Sequence, residues 1–303
     1  GAPPGPELLL VSDEEARSVA LDPTSGFTPL AADDTTTTTV GSADPTVTTA
    51  PVGPFASTVD PVVRHPAADP MAVFGRPLRI MVAGDSVGWS LAWAASRSDL
   101  LTSVQISNRA LIGCGILPAR AVRLYAAGDP APYDAACDDS TEAQFLGLAE
   151  HPDVVLFWVG AWEVIDHRLD GTTYDVGTKA DARLIERTLQ ERLDLFRDAG
   201  VPTVVPLVAC FADSPQYTER LDADRIAWIN ARIRAVVARN RTWVRAIDPT
   251  PVLCNADGTA RVTNEHGVVI RADGAHFEAE AGAWFWNTWL AGAVASAFGR
   301  TDS

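Results

Sequence analysis

The stretch LRIMVAGDSVG, residues 78–88, decides the fold that we predict for this chain. Its apolar residues end at a Gly-Asp-Ser turn, and a helical pattern begins directly after that turn, which predicts a buried strand, a tight turn and a helix. Open α/β sheets bind ligands at the carboxyl ends of their strands, and a helix start directs free N–H groups towards an anion there. Ser86 is therefore a candidate nucleophile. The alternative is a serine that only caps the helix.

The composition is that of an acidic chain with enough apolar residues for a core. It has 303 residues, 47% of them hydrophobic, and a formal net charge of −15. That charge argues against nucleic acid or an anionic membrane surface as a partner. No apolar run approaches the ~20 residues that cross a bilayer, and the first ten residues lack the pattern of a signal peptide. We expect the chain as given to be soluble.

Residues 1–76 differ from the rest because they are rich in Pro, Thr, Ala and Asp, with an unbroken threonine run at residues 35–39. Such a segment buries too little apolar surface to offset its ordering entropy. We predict an extended linker over residues 1–76 and one folded catalytic domain over residues 77–303. Two apolar patches in the linker, residues 8–11 and 55–63, are candidates for docking on that domain.

From residue 77 onward, apolar runs and helical patterns alternate. Strands are predicted over residues 78–83, 103–107, 153–160, 201–208 and 244–247, and helices over residues 87–97, 179–199, 223–239 and 278–298. The run DVVLFWVG at residues 153–160 is apolar on both faces, as in a central parallel strand. This alternation predicts an α/β fold, with a doubly wound parallel sheet of about five strands and helices on both faces.

Asp273 and His276 lie in the segment DGAH, just before the last predicted helix. A nucleophilic serine needs a base within hydrogen-bond reach and an acid that orients the base. We predict His276 as the general base and Asp273 as its partner; the alternatives are a histidine packed at a helix start and an aspartate that only forms a turn. His167, which follows the third strand, is the one serious competitor. Of the other histidines, His65 lies in the linker, His151 lies at the amino end of a predicted strand and His266 lies in a predicted hairpin.

With GDS in the first strand–helix turn and DGAH before the last helix, residues 77–298 resemble the SGNH (GDSL-like) hydrolase superfamily. The resemblance implies a three-layer, flavodoxin-like fold and a catalytic triad of Ser86, Asp273 and His276. The segment NRALIG, residues 108–113, resembles the second block of that family. This implies an oxyanion hole formed by the N–H groups of Ser86 and Gly113. A plain loop glycine is the alternative for Gly113.

The segment GAWE, residues 160–163, departs from the third block of the family, which usually reads Gly-x-Asn. Trp162 stands where the asparagine would donate to the oxyanion, and loss of one such donor costs roughly 10² to 10³ in rate. Trp162 is a candidate donor through its indole N–H, or a wall of the pocket. Glu163 is a candidate for orienting a substrate hydroxyl, with a loop acid in satisfied hydrogen bonds as the alternative. Trp89 and Trp93 are candidates for a sugar-stacking wall, or for the core face of a helix.

This departure, the Thr/Pro-rich lead-in and the cysteines together resemble the SGNH domains at the C-terminal end of acyltransferase-3 membrane proteins. The resemblance implies an extracytoplasmic domain, tethered to the membrane in the full-length protein. An acyltransferase-3 membrane domain would deliver the acyl donor, and a glycan would be the acceptor. We expect this domain to transfer an acyl group, namely acetyl, to hydroxyl groups of a cell-surface glycan. A secreted carbohydrate or lipid esterase and a non-catalytic glycan-binding module are the alternatives.

Four cysteines, Cys114, Cys137, Cys210 and Cys254, allow three pairings, and the sequence alone does not select one. We favour Cys114 with Cys137, which would fix the loop after the second strand, and Cys210 with Cys254, which follow two strands at one sheet edge. An even count is typical of an oxidising compartment. Four reduced, buried cysteines in a cytosolic enzyme are the alternative. No pair has the close spacing of a structural zinc site, and no cofactor is expected.

Overall fold

The computed structural model describes residues 13–22, 26–27, 55, 62–64, 69–96, 101–212 and 217–298. The β-strands are β1 Val62–Val63, β2 Leu78–Gly84, β3 Val104–Asn108, β4 Val122–Leu124, β5 Ala131–Pro132, β6 Val154–Trp158, β7 Asp166–Leu169, β8 Thr172–Tyr174, β9 Thr203–Pro206 and β10 Val244–Ile247. The α-helices are α1 Asp13–Leu21, α2 Pro70–Phe74, α3 Ser86–Ser96, α4 Ser140–Ala149, α5 Lys179–Asp198, α6 Ala223–Arg239, α7 Thr250–Leu253, α8 Ala279–Phe285 and α9 Ala291–Ser296.

A parallel sheet forms the centre of the molecule, with the strand order β1-β10-β9-β6-β2-β3. All of its pairings are parallel, so the predicted α/β fold with a parallel sheet is confirmed. The sheet has six strands, and the sequence predicted about five. The additional strand is β1, in which Val62 and Val63 pair with Ala246 and Ile247. A strand of two residues is too short to show the alternation from which strands are predicted.

Successive residues of each central strand enter two different cores. In β2, Ile80 and Val82 belong to one apolar cluster, and Met81 and Ala83 belong to the other. This follows from the period of two along a strand, which sends neighbouring side chains to opposite faces of the sheet. Buried residues of α3, α8 and α9 complete the first cluster, and those of α5 and α6 complete the second. The result is the three-layer arrangement that the family resemblance implies.

A second sheet, which the sequence did not predict, lies in the connections that follow β3 and β6. It is antiparallel, with the strand order β5-β4-β7-β8. Its strands have two to four residues and mixed burial, so they lack the long apolar runs that mark the central strands. Because both connections leave the carboxyl ends of parallel strands, this sheet stands beside the edge where a site is expected.

Described parts of the first 76 residues pack on the rest of the molecule. Phe55 is buried, and its ring centroid lies 4.9 Å from that of Phe298. A guanidinium nitrogen of Arg109, Nη1, donates to the carbonyls of Ala20 and Asp22 at 2.8 and 2.9 Å. The patch at residues 55–63 therefore contacts the domain through Phe55, Val62 and Val63, whereas residues 8–11 lie outside the described residues. The division at residue 76 stays a prediction.

The closing helix predicted over residues 278–298 consists of α8, a π-helical turn at Trp286–Leu290 and α9. The wider turn carries the side chains of Trp286 and Trp289 into the core, where the Trp286 indole donates to the Leu91 carbonyl at 2.9 Å. Of the helices in the described ranges, none has the length and the apolar character that a membrane crossing requires.

Candidate active site

Ser86 lies at the carboxyl end of β2, as the first residue of α3. Gly84 adopts a φ of 120°, and a Cβ there would overlap the backbone carbonyl of Trp158, so the turn requires glycine. The Asp85 carboxylate accepts the N–H of Val87 at 2.9 Å, which caps the helix. Ser86 itself is 2% exposed. The sequence therefore folds locally into the strand, turn and helix that the pattern predicts.

His276 joins Ser86 to Asp273. Its Nε2 atom lies 2.7 Å from Ser86 Oγ, and its Nδ1 atom is in short contact with Asp273 Oδ2. The other carboxylate oxygen of Asp273 accepts the backbone N–H groups of Ala275 and His276 at 2.9 and 2.8 Å. The imidazole is thus held between a hydroxyl and a carboxylate, which is the arrangement that a serine nucleophile and its base require.

Asp273 is held in its ionised form. Burial alone would raise the pKa of its carboxyl group, but the hydrogen bond and the charge of His276 and the two backbone N–H groups outweigh burial. Together they lower the pKa to about 2. At neutral pH the carboxylate can therefore orient the imidazole and stabilise an imidazolium.

Gly113 lies on the segment that runs beside the Ser86 turn, because the N–H of Leu111 donates to the Gly84 carbonyl at 3.0 Å. It has a φ of 75°, and a Cβ placed on it would meet no atom within 4 Å. It lines a cavity of about 810 Å³ together with Leu111, Ile112 and Tyr133. Ser86 and His276 are not among the residues that line this cavity, so the oxyanion role of Gly113 stays a prediction.

The loop that follows β6 is hydrogen-bonded directly to the turn that carries Ser86. The N–H of Ala161 donates to the second carboxylate oxygen of Asp85 at 3.3 Å. Trp162 is buried, and its indole nitrogen has no hydrogen-bond acceptor among the described residues. Trp162 therefore directly follows a residue that contacts the Ser86 turn, and its indole N–H has no acceptor among the described residues.

Glu163 is buried, and both of its oxygens accept backbone N–H groups. Oε1 accepts from Ile116 at 2.7 Å and Oε2 accepts from Gly160 at 2.8 Å. Burial raises the pKa of this carboxyl group. These contacts fit the alternative given above, a loop acid in satisfied hydrogen bonds, and they tie the loop after β6 to the segment that carries Gly113.

His167, the competing histidine, is buried in the second sheet. Its Nε2 atom lies 2.9 Å from the Tyr133 hydroxyl, and the two rings stack. Burial lowers the pKa of His167 to about 4, with a further contribution from the charge of Arg123. This imidazole contacts Tyr133, whereas His276 contacts Ser86.

Trp89 is fully buried, and its ring stacks on that of Trp93 with centroids 6.1 Å apart. These positions match the core face of α3, the second of the two interpretations offered for this pair.

Two buried charged residues that contact the loop after β6 were missed by the sequence analysis. Asp85 is fully buried, and burial, with the nearby charge of Glu163, raises its pKa to about 7. Arg220 is 4% exposed, and its Nε donates to the Ala161 carbonyl at 2.8 Å. Its guanidinium carbon lies 4.3 Å from the centroid of the Trp162 ring. The GDS motif was a signal for Asp85, but no pattern around Arg220 indicates that this charge is buried.

The structure contains the two disulfides that the sequence analysis favours. Cys114 is bonded to Cys137, and Cys210 is bonded to Cys254. The first joins the segment after Gly113 to the turn before α4, and the second joins the segments that follow β9 and β10. Within the described ranges, no group of three His, Cys, Asp or Glu side chains is arranged to hold a metal ion.

Comparisons with known proteins show similarity to one family and to several solved structures. The periplasmic domain of a lipopolysaccharide acetyltransferase from Salmonella ser. Paratyphi A has 13% identity and a TM-score of 0.42; the alignment covers 72% of this chain and 84% of that one. The acetyl xylan esterase AlAXEase has 15% identity and a TM-score of 0.43, covering 70% of this chain and 100% of that one. Similarity at this level supports no conclusion about chemistry.

Among curated proteins, none matches this sequence. The family model for the SGNH domain that is fused to AT3 domains matches residues 58–285, which is most of the chain and includes β1, the GDS turn and the DGAH segment. This chain is therefore a member of the family of SGNH domains that are fused to AT3 domains.

Proposed function

We propose that this domain transfers an acyl group, acetyl, to a hydroxyl group of a cell-surface glycan through an acyl-Ser86 intermediate. Members of an SGNH family are acyl-transferring or hydrolytic enzymes, which supports the general chemistry. The observation that carries the proposal is the hydrogen-bonded series of Ser86, His276 and Asp273 at the carboxyl edge of the sheet. In this proposal Ser86 is the nucleophile, His276 is the general base and Asp273 orients the imidazole.

The first half of the reaction loads the serine. Ser86 Oγ attacks the carbonyl carbon of the acyl donor while His276 Nε2 accepts the hydroxyl proton, and the carbonyl electrons move to its oxygen. The N–H groups of Ser86 and Gly113 are proposed to hold that oxyanion. The bond from the carbonyl carbon to the leaving group then breaks, and the leaving group takes the proton from His276.

In the second half of the reaction, the acyl group leaves Ser86 with the help of the same residues. His276 accepts a proton from the acceptor hydroxyl, whose oxygen bonds to the acyl carbon. The bond between that carbon and Ser86 Oγ then breaks, and the proton returns to Oγ. The acceptor is a sugar hydroxyl in an acyltransferase and water in an esterase. Ser86 is 2% exposed, which limits the access of both acceptors and does not favour one over the other.

The proposed donor and location rest on the family. Because the matching model describes an SGNH domain fused to AT3 domains, we propose that an AT3 membrane domain supplies the acyl group outside the cytoplasm and tethers the full-length protein. The two disulfides support an oxidising compartment for this domain.

The test is to incubate the domain with p-nitrophenyl acetate, with and without soluble oligosaccharides such as chitotriose and maltotriose. Acetylated oligosaccharide would support glycan acylation, whereas acetate release alone would favour an esterase. Absence of turnover, together with absence of Ser86 labelling by a fluorophosphonate, would favour a glycan-binding module, the alternative that the tryptophan at position 162 suggests. Labelling is read by peptide mass, with Ser86→Ala as the control.

A further inference from the structure

Arg220 is a buried cation that the proposed mechanism has not yet used. It is 4% exposed, and among the described residues its side chain makes one hydrogen bond, from Nε to the Ala161 carbonyl at 2.8 Å. Its Nη2 atom is buried and has no hydrogen-bond acceptor among the described residues. Within the same residues, no carboxylate lies at ion-pair distance from it. A buried guanidinium without a paired anion is costly, so its presence beside a reaction site requires an explanation.

Aromatic rings fix the guanidinium in place. Its carbon atom lies 4.3 Å from the centroid of the Trp162 ring and 4.4 Å from that of Tyr217. Such cation–π contacts favour the charged group without neutralising it. Burial lowers the pKa of Arg220, and the negative charges of Asp85 and Asp273 act against that shift. An arginine side chain remains protonated under these conditions, so the site contains a permanent positive charge.

Two hydrogen bonds connect Arg220, through Ala161, to the side chain of Asp85. Arg220 bonds to the carbonyl of Ala161, whose N–H donates to Asp85, the residue before Ser86. On another side, Arg220 lines a cavity of about 490 Å³ with Phe211 and Ala212. The N–H of Ala212 donates to the Gly274 carbonyl at 3.0 Å, inside the Asp273–His276 segment.

We propose that Arg220 supplies the oxyanion donor that the family's asparagine gives elsewhere, in the part of the site where Trp162 stands. The inference rests on the proposed acyl transfer. As Ser86 Oγ bonds to the acyl carbon, the carbonyl electrons move to oxygen, and the guanidinium donates hydrogen bonds to that oxyanion while keeping all its protons. In this arrangement the ring of Trp162 positions the arginine, and its indole N–H is not the donor.

The kinetic test compares three variants with p-nitrophenyl acetate. Arg220→Met is expected to lower kcat about 10²- to 10³-fold with little change in KM, because an oxyanion forms only in the transition state. Arg232→Met is the matched control, since the guanidinium of Arg232 also lies over a tryptophan, 4.5 Å from the Trp228 ring centroid, but pairs with Glu186 on α5. It should change kcat far less. Trp162→Phe, which keeps a ring and removes the indole N–H, should cost about tenfold or less.

A boronic acid inhibitor separates a donor from a structural residue. Phenylboronic acid adds to a serine as a tetrahedral anion, so Arg220→Met should raise its Ki by the same factor by which it lowers kcat/KM. A variant that only loosens the loop after β6 would raise KM, and its change in Ki would not follow its change in kcat/KM. Arg220→Lys and Arg220→Gln are made in parallel, so that a folding defect in one variant does not decide the outcome. The lysine, which keeps the charge, should retain at least about tenfold more kcat than the glutamine.

The outcomes separate this inference from the proposed function. Failure of the wild-type domain to turn over the ester or to label at Ser86 would overturn both. Normal wild-type turnover, with kcat of Arg220→Met within about threefold of it, would overturn the role of Arg220 alone. Equal kcat in Arg220→Lys and Arg220→Gln would also overturn the role of Arg220. So would a loss of kcat and of boronate affinity in Trp162→Phe as large as the loss expected for Arg220→Met.

Discussion

We propose that Ser86 lies between a proton-transfer side, formed by His276 and Asp273, and an oxyanion side, formed by Arg220 and Trp162, and the hydrogen bonding of the two sides differs. On one side, the imidazole of His276 is bonded at both nitrogens, and each oxygen of Asp273 accepts a hydrogen bond. On the other side, the indole nitrogen of Trp162 and Nη2 of Arg220 are buried without acceptors among the described residues. The proton-transfer side has its hydrogen bonds formed in the free protein, because the proton that it would transfer is already present before the reaction. In the proposed mechanism, Nη2 of Arg220 has no acceptor within the described ranges because the oxyanion that it would bind does not yet exist, whereas the ring of Trp162 only positions the guanidinium.

The most damaging change removes the atom that both sides share. Ser86→Ala is expected to lower esterase activity by about 10⁴-fold or more, because neither the base nor the oxyanion donors have a nucleophile to serve. Ser96→Ala is the matched control, since Ser96 is an exposed serine at the other end of the same helix. Ester hydrolysis and fluorophosphonate labelling measure the result. Activity in Ser86→Ala above one-tenth of wild type would contradict the assignment.

The next change breaks the proton-transfer side alone. His276→Ala is expected to lower kcat by about 10³- to 10⁴-fold, while the oxyanion donors remain in place. His167→Ala serves as the comparison, because His167 contacts Tyr133 instead of Ser86. It should lower the melting temperature, through lost packing, and keep most of kcat. If His167→Ala were the more severe loss in kcat, the base would have been assigned to the wrong histidine.

The contacts among Ser86, His276 and Asp273 could be predicted from the sequence because each of the two segments that carry them has a local pattern. An apolar run followed by GDS predicts a strand, a turn and a helix, and DGAH places an acid and a base three residues apart. Parallel strands then bring these distant segments to one edge without further information. The helices at residues 179–199 and 223–239 were predicted to within one residue at each end for the same local reasons, namely periodicity and caps.

The oxyanion side could not be predicted in full because its distinctive residue contradicts a general tendency. Arginine is almost never fully buried unless it is paired, so no pattern singles out Arg220 among the basic residues. The second sheet was missed because strands such as Ala131–Pro132 are too short for periodicity. Strand Val62–Val63 lies in a segment whose composition predicts a linker, and only its pairing with β10 makes it a strand.

Glu163 offers a milder test of how the oxyanion side is held together. Glu163→Gln keeps the size of the side chain but replaces one acceptor oxygen with an N–H₂ group facing the N–H of Ile116 or Gly160. We expect a loss of about 1 to 3 kcal/mol in the free energy of unfolding and about a tenfold decrease in kcat. Chemical denaturation and ester hydrolysis measure the two effects. A variant with wild-type kcat would show that this loop tolerates the change and that its position does not limit catalysis.

The smallest effect appears only in acid and belongs to the proton-transfer side. Because the pKa of Asp273 is about 2 in the folded chain and 3.8 ordinarily, its contribution to stability is complete above pH 4 and is lost between pH 4 and pH 2. The difference corresponds to about 2 kcal/mol. Asp273→Asn has no such titration, so its free energy of unfolding should fall less steeply over this range than that of the wild type. Urea titrations at pH 2.5, 3, 3.5, 4 and 5 measure the slopes. Equal slopes in the two proteins would mean that the carboxylate is not stabilised by His276, and the closed network on this side of Ser86 would then not exist in solution.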